Sequence, residues 1–204
     1  MGAPSISGRI GKMTSPIRLI AGLGNPGEEY ARTRHNAGVW FVEKVARLHQ
    51  ISFKNANKLK GLHGSFLFHD EKIHLFIPTT FMNHSGQAIK LISDYYEIPV
   101  ESMLIAHDEL DIPTGDIRLK HSGGHGGHNG LRDIIGHLRS HHFYRLRIGI
   151  DHPNIRSEVT DFVLSPPTKS EKKLIDENLD HSLSILDYLF KGENEKAMQF
   201  LNTK

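Results

Sequence analysis

The sequence predicts a single-domain α/β fold, a three-layer sandwich in which helices flank one twisted mixed β-sheet. Short apolar runs of strand type alternate with segments whose apolar residues recur at helical spacing. The 204 residues fit one domain and suffice to bury a core without staples. No repeat or low-complexity tract interrupts the alternation.

The first fifteen residues, "MGAPSISGRIGKMTS", are small, polar and aperiodic, and read as a flexible N-terminal lead ahead of a domain spanning 16–204. "IRLIAGL" (17–23) is a buried strand that ends in the turn "GNPG" (24–27). Between His35 and Gln50, the spacing of Val39, Val42, Val45, Ala46 and Leu48 predicts a helix. "GSFLFHD" and "KIHLFIP" read as a hairpin, "SGQAIKLISDYYEI" (85–98) as an amphipathic helix that Ser85 caps, and "SMLIAHDEL" (102–110) as a buried strand. "HNGLRDIIGHL" opens a further helix and "YRLRIGID" (144–151) alternates as a strand does. Ile175, Leu179, Leu183, Leu186 and Phe190 line one face of a last long helix.

Composition narrows the function classes. There is no cysteine, which excludes disulfides and thiolate metal sites. The apolar runs are too short to span a bilayer and the N-terminus lacks a secretory h-region, so a cytoplasmic protein is expected. Net charge is only +2 but unevenly spread. Between Asp116 and Arg156, seven Lys/Arg face three Asp, whereas five basic residues face seven acidic ones from Ser170 to Lys204, so the former span favours polyanions.

In open α/β sheets ligands gather where strands end. Asn25 follows the first strand, Asn83 follows "LFIP", and His107–Asp108 close "MLIA"; Asn129 stands at a helix start. Each also has an inert explanation, as a turn residue, a helix cap or an ion-pairing carboxylate.

Four long blocks, "GLGNPGEEYARTRHNAGVWFVE" (22–43), "PTTFMNHSGQAI" (78–89), "AHDELDIPTGDIRLKHSGGHGGHNGLRDI" (106–134) and "FYRLRIGIDHP" (143–153), closely resemble the bacterial-type peptidyl-tRNA hydrolases. That resemblance implies hydrolysis of the ester joining a peptide to the terminal ribose of tRNA. It implies His35 as general base, Asp108 as its carboxylate partner and Asn25 as a polar anchor beside the reacting water. Asn83 and Asn129 would hold the substrate, Tyr30, Phe81 and Met82 would line the peptide channel, and Lys120, Arg147 and Arg156 would take tRNA phosphate. The implied partner is peptidyl-tRNA alone, with no cofactor, metal, membrane or obligate protein partner, and a monomer is expected. The chain departs from the family pattern at His84, His121 and Ser122.

The chemistry suits these residue types. An ester with a ribose leaving group is labile enough for water activated by one base. Histidine, with an unperturbed pKa of about 6.5, is raised toward neutrality by a carboxylate. Carboxamides offer a donor and an acceptor together, which suits recognition of peptide main chain. Asn25 either positions the water or donates to the oxyanion. Three rivals stand beside this reading: a zinc hydrolase using His121, His125 and His128, a serine hydrolase using Ser85 or Ser122, and a non-catalytic RNA-binding module. Glycines oppose a helix around the three histidines, and neither "HExxH" nor "GxSxG" is present.

Overall fold

The structure is a computed structural model, and it describes residues 14–203 apart from 154, 156 and 157. Most of the expected N-terminal lead therefore lies outside the described residues. Its last two residues, Thr14 and Ser15, are tied down: the Thr14 N–H donates to Gly192 O at 3.0 Å, and Ser15 O accepts from Asn194 Nδ2 at 3.0 Å.

Among the described residues one sheet contains seven strands: β1 (Leu19–Gly22), β2 (Lys54–Ala56), β3 (Gly61–Phe68), β4 (Glu71–Pro78), β5 (Met103–Glu109), β6 (Ile117–His121) and β7 (Tyr144–Gly149). Their order is β2-β3-β4-β1-β5-β7-β6. Strand β1 is parallel to both β4 and β5, and β5 is parallel to β7, while β2, β3 and β6 run antiparallel to their neighbours. The carboxyl ends of β1, β4 and β5 thus lie side by side at one edge, where Asn25, Phe81–Asn83 and Asp108 are found.

Period-two alternation divides the core between the two faces of the sheet. Ile20, Leu75, Leu104 and Leu146 face α1 (Ala37–Leu48), α5 (Lys169–Ser182), α6 (Leu186–Phe190) and α7 (Asn194–Asn202). Leu19, Ala21, Phe76, Met103 and Ile105 face α2 (Ser85–Tyr95) and α3 (Asn129–Leu138). The short helix α4 (Val159–Val163) precedes α5. The result is the three-layer mixed-sheet sandwich that the alternation predicts.

Two glycines set how closely α1 approaches the sheet. A Cβ on Gly38 would lie 2.1 Å from Ala106 O, and one on Gly22 would lie 2.3 Å from Gly38 O. With no side chain at either position, the start of α1 rests directly on the backbone of β1 and β5. This brings the turn before α1, which carries His35, to the end of β5.

The last long helix is not continuous. It breaks into α5 and α6 at a 3-10 turn over Leu183–Ile185. At the joint Ser182 Oγ donates to Leu179 O and Ser184 Oγ to His181 O, both at 2.7 Å, so side-chain hydroxyls compete for the carbonyls that would continue the α-helix. Ile175, Leu179, Leu186 and Phe190 are nevertheless buried on one side. Strands β2 and β6 and helices α4 and α7 are additional to the elements read from sequence. Ser85 is the first residue of α2 and its Oγ donates to Met82 O at 2.8 Å, so it does not cap by accepting a backbone N–H.

Candidate active site

His35 sits in the 3-10 turn Arg34–Asn36, immediately before α1. Its Nδ1 lies 2.9 Å from both Oδ1 and Oδ2 of Asp108, the penultimate residue of β5. A carboxylate only accepts, so His35 carries its proton on Nδ1 and has its lone pair on Nε2. Burial pulls the His35 pKa down, but the Asp108 charge and hydrogen bond outweigh it and leave the pKa raised above 6.5. Burial pushes the Asp108 carboxyl up, yet the imidazoles of His35 and His128 hold it well below the usual carboxylate range.

His128, the residue before α3, is the third member of this group. Its Nδ1 accepts the Leu131 N–H at 3.3 Å, capping the helix. A backbone N–H can only donate, so the His128 proton must be on Nε2, which lies 2.9 Å from Asp108 Oδ1. Behind it, buried His107 has Nδ1 2.7 Å from Asp108 O and meets the His128 ring edge-on at 5.0 Å. Burial, reinforced by His128, pushes the His107 pKa down to about 3, so this imidazole is uncharged at neutral pH.

Asn25 and Asn129 are oriented by groups that can only donate. Asn25 Oδ1 accepts the Met82 N–H at 2.8 Å, which joins the loop after β1 to the loop after β4 and leaves the amide N–H groups to act on a ligand. Asn129 Oδ1 accepts from Arg132 Nη1 at 3.1 Å, with the same consequence. Buried Asn36 grips the backbone of Asn25 from both sides: its Oδ1 accepts the Asn25 N–H at 2.9 Å and its Nδ2 donates to Asn25 O at 3.0 Å.

A cavity of about 400 Å³ collects these groups. Asn25, Tyr30, His35, Phe81, Met82, Asn83, Asp108 and Asn129 all line it, together with Glu109, Leu110, Gly126, Gly127, His128 and, from α4 and just beyond, Val159, Thr160, Val163 and Leu164. Tyr30 and Phe81 stand edge to face with centroids 6.3 Å apart, and Phe81 remains 54 % exposed at the mouth. Gly126 (φ 57°) and Gly127 (φ 85°) take left-handed backbone where the loop passes the cavity. Buried Arg145 fastens that loop through Gly123 O and Gly124 O.

Lys120 and Arg147 lie outside the cavity, on β6 and β7. They are diagonal neighbours: Lys120 is opposite Arg145 and Arg118 is opposite Arg147. Arg147 Nε donates to Glu109 Oε2 at 2.9 Å, so a phosphate there would compete with a carboxylate. Arg156 lies outside the described residues.

The zinc rival's histidines do not converge. His121 is near His142 and Tyr144, His125 Nδ1 accepts the Gly127 N–H, and His128 joins Asp108. Among the described residues, the metal-ligand geometry that does occur is His35, Asp108 and His128, whose ligand atoms lie within 4.8 Å of one another. In that trio both facing imidazole nitrogens carry protons that bond to the carboxylate. A cation would have to displace both, and with them the orientation of His35.

Sequence reasoning missed three residues here: His128, grouped there with its glycine-loop neighbours, and Asn36 and Arg34, which flank His35. For Arg34 and Asn36 the motif "TRHNAG" was the available signal. The family model described as Peptidyl-tRNA hydrolase matches residues 19–204. The peptidyl-tRNA hydrolase of Colwellia psychrerythraea is 51% identical over 188 residues, 92% of this chain and 97% of that protein. That of Alcanivorax borkumensis is 50% identical, over 93% of this chain and 98% of the other. The crystal structure of peptidyl-tRNA hydrolase from Acinetobacter baumannii superposes with a TM-score of 0.90 at 48% identity, covering 95% of this chain and 98% of that one.

Proposed function

The chain belongs to the peptidyl-tRNA hydrolase family, and on that premise we propose how its own residues carry the reaction. The reaction is hydrolysis of the ester between a peptide and the 3′-terminal ribose of tRNA, which returns tRNA from prematurely released peptidyl-tRNA. His35 takes a proton from water at Nε2, and the water oxygen attacks the ester carbonyl. The imidazolium so formed is stabilised by Asp108, 2.9 Å from Nδ1, and then returns the proton to the leaving ribose oxygen. His128 keeps the Asp108 carboxylate aimed by its own hydrogen bond.

Asn25 is the donor to the oxyanion. Its Oδ1 already accepts the Met82 N–H, and an N–H directed at the attacking water would draw on the lone pair that must attack carbon. Asn129 donates in the same way to a substrate carbonyl, Asn83 supplies a further carboxamide, and Tyr30, Phe81 and Met82 form the apolar peptide wall. Lys120 and Arg147, with Arg156, bind phosphates of the tRNA, which position without reading sequence. We further propose a metal-independent, monomeric, cytoplasmic enzyme; among the described residues no helix is long and apolar enough to cross a membrane.

The observation that carries the proposal is the bifurcated contact of His35 Nδ1 with both Asp108 oxygens inside the cavity lined by the asparagines. Hydrolysis of N-acetylated aminoacyl-tRNA, assayed in chelator with wild type and His35→Ala, tests it. Wild type turns over and the variant loses roughly 10²–10⁴ in kcat. Undiminished turnover by His35→Ala removes the general base from the mechanism.

A further inference from the structure

We infer that Arg34 is a positioning residue that fixes the α4 wall of the substrate cavity to the turn carrying His35. This inference rests on the cavity being the substrate site, as proposed above.

Arg34 is 6 % exposed, an unusual burial for an arginine, and it does not touch the cavity. Apart from its carbonyl, which accepts the Ala37 N–H within the turn, all of its polar contacts go to one place. Its backbone N–H donates to Ser165 O at 3.1 Å. Nη1 lies 2.8 Å from Ser165 Oγ, 3.0 Å from Pro166 O, 3.3 Å from Ser165 O and 3.4 Å from Phe162 O. Nη2 donates to Glu171 Oε2 at 2.9 Å, and the guanidinium stacks over the Phe162 ring at 4.1 Å. The same Glu171 oxygen accepts the Thr168 N–H at 2.6 Å in the capping box that starts α5. One side chain therefore joins the residue before His35 to both ends of the connection between α4 and α5.

Helix α4 needs such an anchor. Five residues are too few to hold a helix by their own hydrogen bonds, so its position is set by tertiary contacts. Its Val159, Thr160 and Val163 form the cavity wall, with Leu164 after them. Arg34 sends its main chain to His35 and its side chain to α4, so the distance between the base and the facing wall is set by one residue. Lysine would not substitute, because a point ammonium lacks the planar fork that reaches Ser165, Pro166 and Glu171 together.

The test uses the full-length protein carrying Arg34→Lys and, separately, Glu171→Gln, which neutralises the carboxylate bound by Nη2 while a carboxamide oxygen can still accept the Thr168 N–H, and which lies outside the segment read out. Two readouts are taken: amide hydrogen exchange across 159–166, and kcat and KM for N-acetylated aminoacyl-tRNA as a function of pH. For Arg34→Lys exchange in 159–166 accelerates by about tenfold or more while β5 and α1 are unchanged. KM rises by roughly tenfold, kcat stays within about threefold, and the pH midpoint of kcat does not move. Glu171→Gln shifts both readouts the same way by a smaller factor, and it decides the matter alone should Arg34→Lys not fold. Exchange in 159–166 equal to wild type in the folded variants, or a fall in kcat at constant KM, overturns the inference. The exchange result is independent of catalysis, so failure here is distinct from failure of His35 as the base.

Discussion

Replacing Asp108 by Asn exchanges one carboxylate oxygen for an amino group, leaves the side chain's size almost unchanged and reverses the logic of the site. In the native arrangement the carboxylate accepts from His128 Nε2 at Oδ1 and from His35 Nδ1 at both oxygens, each at 2.9 Å. A carboxamide has one accepting atom, and its amino group can only donate. His128 cannot adapt, because the Leu131 N–H occupies its Nδ1 and keeps the proton on Nε2. The asparagine oxygen therefore turns to His128, and its amino group faces His35. That amino group opposes a proton on His35 Nδ1 and favours the tautomer that carries it on Nε2, the atom proposed to take the proton from water. Together with loss of the charge opposite the imidazolium, this removes general-base catalysis and its electrostatic support. We expect a fall of roughly 10³–10⁴ in kcat with KM within about threefold. The pH profile moves as well. The base must be unprotonated, so wild-type kcat rises as pH climbs through a His35 pKa lifted above 6.5 by Asp108. Without that charge burial acts alone and the midpoint of any residual activity shifts to lower pH. Single-turnover hydrolysis from pH 5 to 9 measures both effects, and an Asp108→Asn enzyme within tenfold of wild type refutes the tautomer argument.

The remaining predictions concern other parts of the molecule. Asn25→Ala should lower kcat by about 10²–10³ with little change in KM, as removal of one oxyanion donor does; a change confined to KM would instead make Asn25 a ground-state binding group. Lys120→Ala and Arg147→Ala should each flatten the log–log dependence of tRNA affinity on salt by about one charge or less, with the single-turnover rate at saturating substrate unaltered; an unchanged slope removes that residue from the phosphate contact. Buried His74, whose Nδ1 meets His63 Nε2 at 2.9 Å, has its pKa pushed down to about 4 by burial and then by His63. The unfolded chain binds this proton near pH 6.5, so the stability contribution is complete above about 6.5 and is lost as pH falls toward 4. Denaturant titrations of wild type should show that decline, and His74→Phe should flatten it; parallel pH curves would assign the acid sensitivity elsewhere.

What the sequence revealed and what it hid have a common physical basis. Elements with strong local periodicity were legible: α1, α2 and α3 through their amphipathic spacing, and β1, β4, β5 and β7 through apolar runs or alternation. Strand β6 was not, since five residues with two buried positions carry too little signal, and α7 escaped for a similar reason. The break between α5 and α6 follows from two serine hydroxyls, which no apolar spacing reports. At the site, the residues of the quoted motifs named as lining groups do meet in one cavity. The residues that orient them do not announce themselves. His128 is twenty positions from Asp108, and its role depends on a tautomer fixed by a helix end. Arg34 reads as surface charge until α4 and α5 fold over it. Local patterns expose the groups that line the cavity, whereas the groups that aim them are defined by contacts distant in the chain.

Nitrogen-15 NMR of the histidine side chains, followed through a pH titration, addresses the mechanism at its root. The His35 ring should show the Nδ1–H tautomer with an unprotonated Nε2, titrating above pH 6.5 and moving below that value in Asp108→Asn. A His35 ring with its proton on Nε2, or one titrating below 6.5 while Asp108 is intact, contradicts the assignment of His35 as the base.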